Sequence, residues 1–297
     1  MDYLTTHNLA SVPALFVICR YLATRRRGET MEALKDALAP AAVTAREDNA
    51  APGVLKASLE VGVDLGLLEA DGRGDRRVWT LRETVASQIR ASSSIDSSPF
   101  RSLVLRRLGA TALAAVEAGK RPPDVALALI WLLRQDPLAP MGRTWDDGLE
   151  TAFKQAGLGS TIKGAERWLA FLRWARSLGL ITFIPSGTRK EHVLVDPSEA
   201  VANVLHEMPD TAAARQWFAR LISMVPLLGD PRLVAELPMS QDVDDGVSDS
   251  AALAMHKLER SGRLRLIASD DAADAVVLSL GKNPRRIGQI QVLRGSA

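Results

Sequence analysis

The residues with the most usable chemistry are cations grouped around an indole. Lys163, Arg167, Arg173 and Trp174 lie in one stretch, Ile162 to Val195, whose later turn adds Arg189 and Lys190. Guanidinium and ammonium groups bind phosphate oxygens, and an indole offers a stacking face, so this set suits docking to a polyanion rather than bond making. A second group, Arg73, Arg76 and Arg77, surrounds Gly72 and Gly74 in the stretch Leu55 to Leu81. Two glycines so close suit the tip of a tight hairpin.

Other chemistries fail on spacing or order. Gly157-Leu158-Gly159-Ser160-Thr161-Ile162-Lys163 has the composition of a phosphate loop, but Lys is not followed by Ser or Thr at a helix start, so a turn and cap explain it. His7, His192, His206 and His256 are scattered, which leaves no readable zinc site. The acidic run Asp242, Asp244, Asp245, Asp249 has Gly246 but lacks the distal Glu of a calcium loop. Cys19 sits in an apolar run and reads as a small buried hydrophobe. There is no Gly-x-Ser-x-Gly elbow and no carboxylate dyad at a telling spacing. No catalytic residue, metal or cofactor is expected, and the chain is read as a non-enzyme.

The elements that must position these cations follow a repeated order. Ile162 to Val195 reads as a helix, a Ser-Leu-Gly-Leu exit, a strand, a Pro-Ser-Gly turn and a second strand. Leu55 to Leu81 repeats it with Gly66 in place of Gly179, and Ser250 to Leu280 repeats it more weakly with Gly262, its two strands drawn from LRLIASDDAADAVVLSL. At about 3.6 residues per turn, Ala165, Trp168, Leu169, Leu172 and Ala175 share one arc and form a core face. Lys163, Arg167 and Trp174 then fall opposite, flanked by Arg173. A solvated face, with Trp174 packed on a neighbouring unit, explains the same pattern. The helix after Pro52 is poorer, since Lys56, Ser58, Glu60 and Asp64 nearly balance in charge.

Upstream helices complete each unit. Ser11 with Pro13 starts one that buries Leu15, Ile18, Cys19 and Leu22, where Arg25, Arg26 and Arg27 favour the helix end. Met31 to Leu38 forms another. In the second unit VALALIWLLR is buried on most sides, Thr144 caps a helix to Gln155, and Ser160 or Thr161 caps the next. Asp196-Pro197 opens a linking helix to Glu207, and Thr211 starts the third unit. The boundaries are therefore 1–83, a Ser-containing helical connector 84–123, then 124–208 and a degenerate copy 209–297.

Composition agrees with a globular chain: 47% hydrophobic residues, mean hydropathy +0.02 and net charge +2 over 297 residues. Such a balance does not mark a strongly basic protein, so a basic surface must be a local patch. Residues 1–121 hold 17 Lys+Arg against 14 Asp+Glu, and 122–208 hold 9 against 10. With one cysteine, no apolar run of membrane-spanning length and no basic leader at Met1-Asp2-Tyr3, a cytoplasmic protein without membrane contact is expected.

The helix, Leu-Gly-Leu exit and basic hairpin resemble the winged-helix superfamily, which implies a mainly α fold with small β-hairpin wings and tandem winged helix-turn-helix modules. Ser11-Val12-Pro13 before the opening helix, at this length, is similar to the DpdG family, encoded with bacterial systems that insert 7-deazaguanine bases into DNA and restrict foreign DNA. That resemblance implies a non-enzymatic adaptor of a DNA-modification or antiviral defence complex. Its expected partners are double-stranded DNA, through the nine residues named first, and other protein subunits. A protein-only scaffold and a transcription regulator are the alternatives. The regulator is disfavoured because repeated units leave little chain for an effector pocket.

Overall fold

The computed structural model describes residues 2–40, 51–91, 96–146, 148–185, 191–238, 247–269, 274–281 and 284–294. The fold is mainly helical with small antiparallel sheets. A short α1 (Tyr3–Thr6) precedes α2 (Val12–Ala23), whose start is set by Ser11: its Oγ accepts the Ala14 N–H at 3.3 Å. Leu15, Ile18, Cys19 and Leu22 are buried, as their spacing predicts. Next come β1 (Glu29–Thr30), α3 (Met31–Leu38), α4 (Ala51–Asp64), β2 (Leu68–Asp71) and β3 (Val78–Leu81), with the strands ordered β1-β3-β2. The connector holds α5 (Glu83–Ala91) and the long α6 (Ser98–Glu117).

The second set contains α7 (Asp124–Leu133), β4 (Met141–Gly142), α8 (Leu149–Gln155), α9 (Ala165–Ser177), β5 (Ile181–Pro185) and β6 (Glu191–Val195). Its order is β4-β6-β5. Every residue of α7 is buried, as its composition requires. The third set contains α10 (Ser198–Ala202), β7 (Thr211–Ala213), α11 (Ala214–Met224), α12 (Pro231–Val234), α13 (Asp249–Arg260), β8 (Leu264–Ala268), β9 (Val276–Leu278) and β10 (Arg285–Val292). Its order is β7-β10-β8, with β9 also paired to β10.

One local construction recurs in all three sets. Gly66, Gly179 and Gly262 follow α4, α9 and α13 with φ of +65°, +73° and +71°, a region that glycine enters without a Cβ penalty. The next N–H reaches back over the helix end: Leu67 to Gly62, Leu180 to Ala175 and Arg263 to Leu258, at 2.9, 3.0 and 2.9 Å. The carbonyl of that same residue accepts the N–H just past the closing strand. These bonds run from Arg82 to Leu67 (3.1 Å), Asp196 to Leu180 (2.9 Å) and Leu293 to Arg263 (2.8 Å). Two residues after each glycine the strands are in matching register, Leu68 with Leu81, Ile181 with Val195 and Leu264 with Val292.

Several expected boundaries move. Gly148, at φ +90°, keeps Thr144 out of the helix, so α8 starts at Leu149. Gly164, at φ +88°, delays α9 to Ala165, which leaves Lys163 before the helix rather than on its face. Ser160 and Thr161 do not cap it; Thr161 is buried and its hydroxyl accepts from Arg121 at 2.6 Å. Pro197, not Asp196, takes the cap position of the helix that follows; Asp196 lies one residue earlier, where its Oδ1 accepts the Ser198 N–H at 3.1 Å, and α10 ends at Ala202 rather than Glu207. Thr211 opens a strand, not a helix. The partner of β8 is not the Val276 strand: β10 lies between them, because Ile287, Ile290 and Val292 bring a buried face against Leu264 and Leu266.

The sets share one continuous hydrophobic core. Along α6, Arg101 pairs with Glu199 at 2.7 Å, Arg106 holds Glu207 through both terminal nitrogens, and Gly109 lets the helix approach Pro226, where a Cβ would sit 2.8 Å from a ring carbon. Close backbone approach, more than the half-exposed ion pairs, fixes this helix.

Candidate nucleic-acid interface

Within the second set an aromatic cluster orients the helix and hairpin. Phe153 lies 4.1 Å from Trp131 and 5.9 Å from Trp168, which lies 5.4 Å from Phe171. Trp168 Nε1 donates to the Arg143 carbonyl at 2.7 Å, which fixes the backbone of the loop after β4. The Arg143 side chain then pairs with Glu191 of β6 and stands 4.8 Å from the centre of the Phe183 ring on β5. Arg176 of α9 stands 4.9 Å from the same ring. Two guanidiniums therefore flank one half-buried phenylalanine, a favourable cation–π arrangement.

The solvent arc of α9 is not the one its periodicity suggests. Trp174 is fully buried: Nε1 donates to the Ala10 carbonyl at 3.1 Å and the indole stacks on Tyr3 at 5.9 Å. It cannot meet a ligand, and it leaves the candidate set. Ala165 and Leu169, expected in the core, are exposed, Leu169 by 46%. The buried arc instead adds Ala170, Phe171 and Trp174, because residues 3–10 cover a second side of the helix. What remains open is Ala165, Leu169, Arg173 and Arg176, with Glu166 at the edge. Arg173 donates to the Asn8 carbonyl at 2.8 Å, and Asn8 donates to Glu166 at 2.5 Å, so this arginine is oriented yet exposed. Arg167 is half-buried, and Lys163 is exposed close to Glu150. Arg189 and Lys190 lie outside the described residues.

The first set offers less. Arg77 is clamped by Glu60 of α4 at 2.6 and 3.1 Å and stands 5.0 Å from the Trp79 ring, so its charge is spent inside the fold. Arg73 and Arg76 are exposed at the hairpin tip. Along α4 only Pro52 and Lys56 are exposed, and Asp64 at its end accepts the Tyr3 hydroxyl at 2.6 Å. Trp174, Arg77 and the tip arginines therefore do not share one accessible surface.

A family model described as DpdG-like matches residues 1–272. The chain belongs to the DpdG-like family. Membership links it to the Dpd DNA-modification system. No curated protein and no solved structure matches the chain.

In this DpdG-like chain the matched residues contain α9, β5 and β6 whole, whereas β9 and β10 lie beyond them. Among the described residues no group of three or more His, Cys, Asp or Glu is placed to hold a metal, and no helix is long and apolar enough to cross a membrane. A pocket of about 590 Å³ opens where α2, α6 and the turn after α10 meet, with Phe16, Phe100, Asn203 and His206 in its walls. Room between units thus exists despite the repeat. Arg143, Phe183 and Arg176 were not singled out in the sequence; the signal for Arg176 was its spacing from Leu169 and Arg173 on one helix face.

Proposed function

We propose that this DpdG-like chain is an adaptor that binds duplex DNA and partner proteins within a DNA-modification or antiviral defence complex, and that it catalyses no reaction itself. Residues 1–83, 124–208 and 209–297 are three winged-helix modules, joined by the connector 84–123. The repeated glycine cap, return hydrogen bond and sheet order support this division. In such a module the helix before the glycine and the hairpin after it form the docking side.

The observation that carries the DNA reading is the open arc of α9 beside the β5–β6 hairpin. It presents Leu169, Arg173 and Arg176, and no ion pair engages the Arg173 or Arg176 guanidinium among the described residues. An exposed leucine one turn before two arginines suits an apolar contact to a base edge beside phosphate contacts. Lys163 adds an exposed cation just before α9, Arg73 and Arg76 supply a separate exposed basic group at the tip of the first hairpin, and Arg189 and Lys190 are further candidate phosphate contacts. The expected result is that Arg173→Glu with Arg176→Glu weakens binding of a fluorescent duplex at least tenfold at moderate salt, measured by anisotropy. Unchanged affinity in a folded double variant removes this face from the site.

A second reading, a protein-only scaffold, is favoured by the first module, where α4 is nearly covered and the Arg77–Glu60 pair cancels the charge at its face. Under that reading duplex affinity is weak and insensitive to the double reversal.

A further inference from the structure

Arginines from two separate strands share one face of the third sheet. Arg263 and Arg265 belong to the β8 arm, and Arg286 belongs to β10. The strand registers place the outward residues in rows: Thr211, Gln291 and Arg265; then Ala213, Gln289 and Ile267; then Arg286 beside Val277. Leu264 and Leu266 point inward, so Arg263 and Arg265 share the outer side by strand alternation. Arg263, Arg265, Arg286, Gln289, Thr211 and Val277 are exposed. None of the outward residues on these four strands is acidic, and none of the three guanidiniums has an ion pair among the described residues.

We propose that this outer sheet face is a second docking surface, and that its ligand is the phosphate backbone of duplex DNA. The proposal rests on the reading of the chain as a DNA-binding adaptor, and it adds a site on a different module from the α9 face. Charge complementarity argues for a polyanion, and the composition of the face selects which kind. A protein partner would need a buried aromatic or large apolar anchor, whereas this face offers only Val277 and the half-buried Ile267. Single-stranded nucleic acid is held by stacking on aromatic side chains, and no outward residue here is aromatic. What remains is backbone contact by arginines with amide side chains between them, which positions a duplex without reading its sequence. The separation between Arg265 and Arg286, about 15 Å along the strand direction, is enough to reach phosphates across a groove about 12 Å wide.

The test uses the full chain in three forms: wild type, the triple Arg263→Gln, Arg265→Gln and Arg286→Gln, and the α9 double Arg173→Glu and Arg176→Glu. Each is titrated with a random-sequence duplex at several salt concentrations, with a single strand and poly-glutamate as competitors, after unfolding midpoints confirm that the variants fold. Each lost phosphate contact lowers the slope of log K against log salt by about 0.9, so the triple variant is expected to lose about 2 to 3 from its slope. It should do so on any duplex sequence. An unchanged slope in the triple, while the α9 double loses binding, overturns this proposal and leaves the α9 site standing. A lowered slope in the triple with an unaffected α9 double supports the sheet face and removes the α9 face. Preferential binding of the single strand, or of poly-glutamate, through these arginines overturns the duplex assignment. Absence of duplex binding by the wild type overturns both sites together.

Discussion

Asp196 shows how one side chain joins two of the sets of elements. It is buried just after β6, its Oδ1 accepts the Ser198 N–H at 3.1 Å and the Ser198 hydroxyl, and its Oδ2 pairs with Lys257 of α13. Burial alone would raise its pKa, but the hydrogen bonds from Lys257 and Ser198 outweigh that and hold it below the ordinary carboxylate value. A folded pKa below the unfolded one adds stability above about pH 3.9, and that contribution is lost as pH falls through the lowered folded value. Urea unfolding of wild type and Asp196→Asn at pH 7 and near pH 2 should therefore show a stability gap at neutral pH that closes in acid. Other carboxylates titrate in both proteins and cancel in the difference. A gap that persists unchanged in acid would mean that Asp196 is not held as an ionised partner of Lys257. Trp174 teaches a different lesson at this scale. Its partner, Ala10, is 164 positions away, so helical periodicity within α9 had no means of revealing that a second segment covers it. Arg77 was misleading for a similar reason, since Glu60 approaches it only once α4 and the hairpin have folded together.

At the scale of elements, the glycine after α4, α9 and α13 was the most legible feature. Gly66, Gly179 and Gly262 follow their helices with the expected left-handed backbone, because few side chains tolerate that conformation and the sequence must mark it. The positions are not equivalent in their surroundings. A Cβ on Gly262 would meet nothing within 4 Å, whereas one on Gly179 would lie 3.1 Å from Glu199 Cβ and 3.3 Å from the Ala200 nitrogen. Gly262→Ala should cost only the conformational penalty of about 1–2 kcal/mol. Gly179→Ala should cost more, because α10 must also shift. Urea midpoints of the two variants check this, and equal losses would contradict the crowding at α10. Helix starts were less legible than helix ends. Gly148 and Gly164 delay α8 and α9, yet a glycine before an apolar run gave no sign of a positive φ, while nearby Thr and Ser looked like ordinary caps. The pairing of β8 with β10 was hidden too, since a nearer strand of similar composition was available to complete a hairpin.

At the scale of the whole molecule, residues 3–10 tie the first two sets of elements together. Tyr3 bonds to Asp64 of α4 and stacks on Trp174 of α9, while the Leu4 and Thr5 N–H groups both donate to the Asp124 carboxylate at 3.0 Å. The helices that precede Gly66 and Gly179 are thus both partly covered by one segment, which leaves the α9 arc and the outer face of the third sheet as open basic surfaces. Net charge alone concealed both, because acidic residues elsewhere balance the total. The central claim is that these surfaces meet DNA phosphates, and the salt dependence of duplex binding by the unmodified full chain tests it most directly. Six or more phosphate contacts shared between the two faces predict that log K falls linearly with log salt with a slope of about −5 or steeper. A slope near zero, with affinity no better than millimolar, would contradict the account and leave a scaffold that docks only proteins.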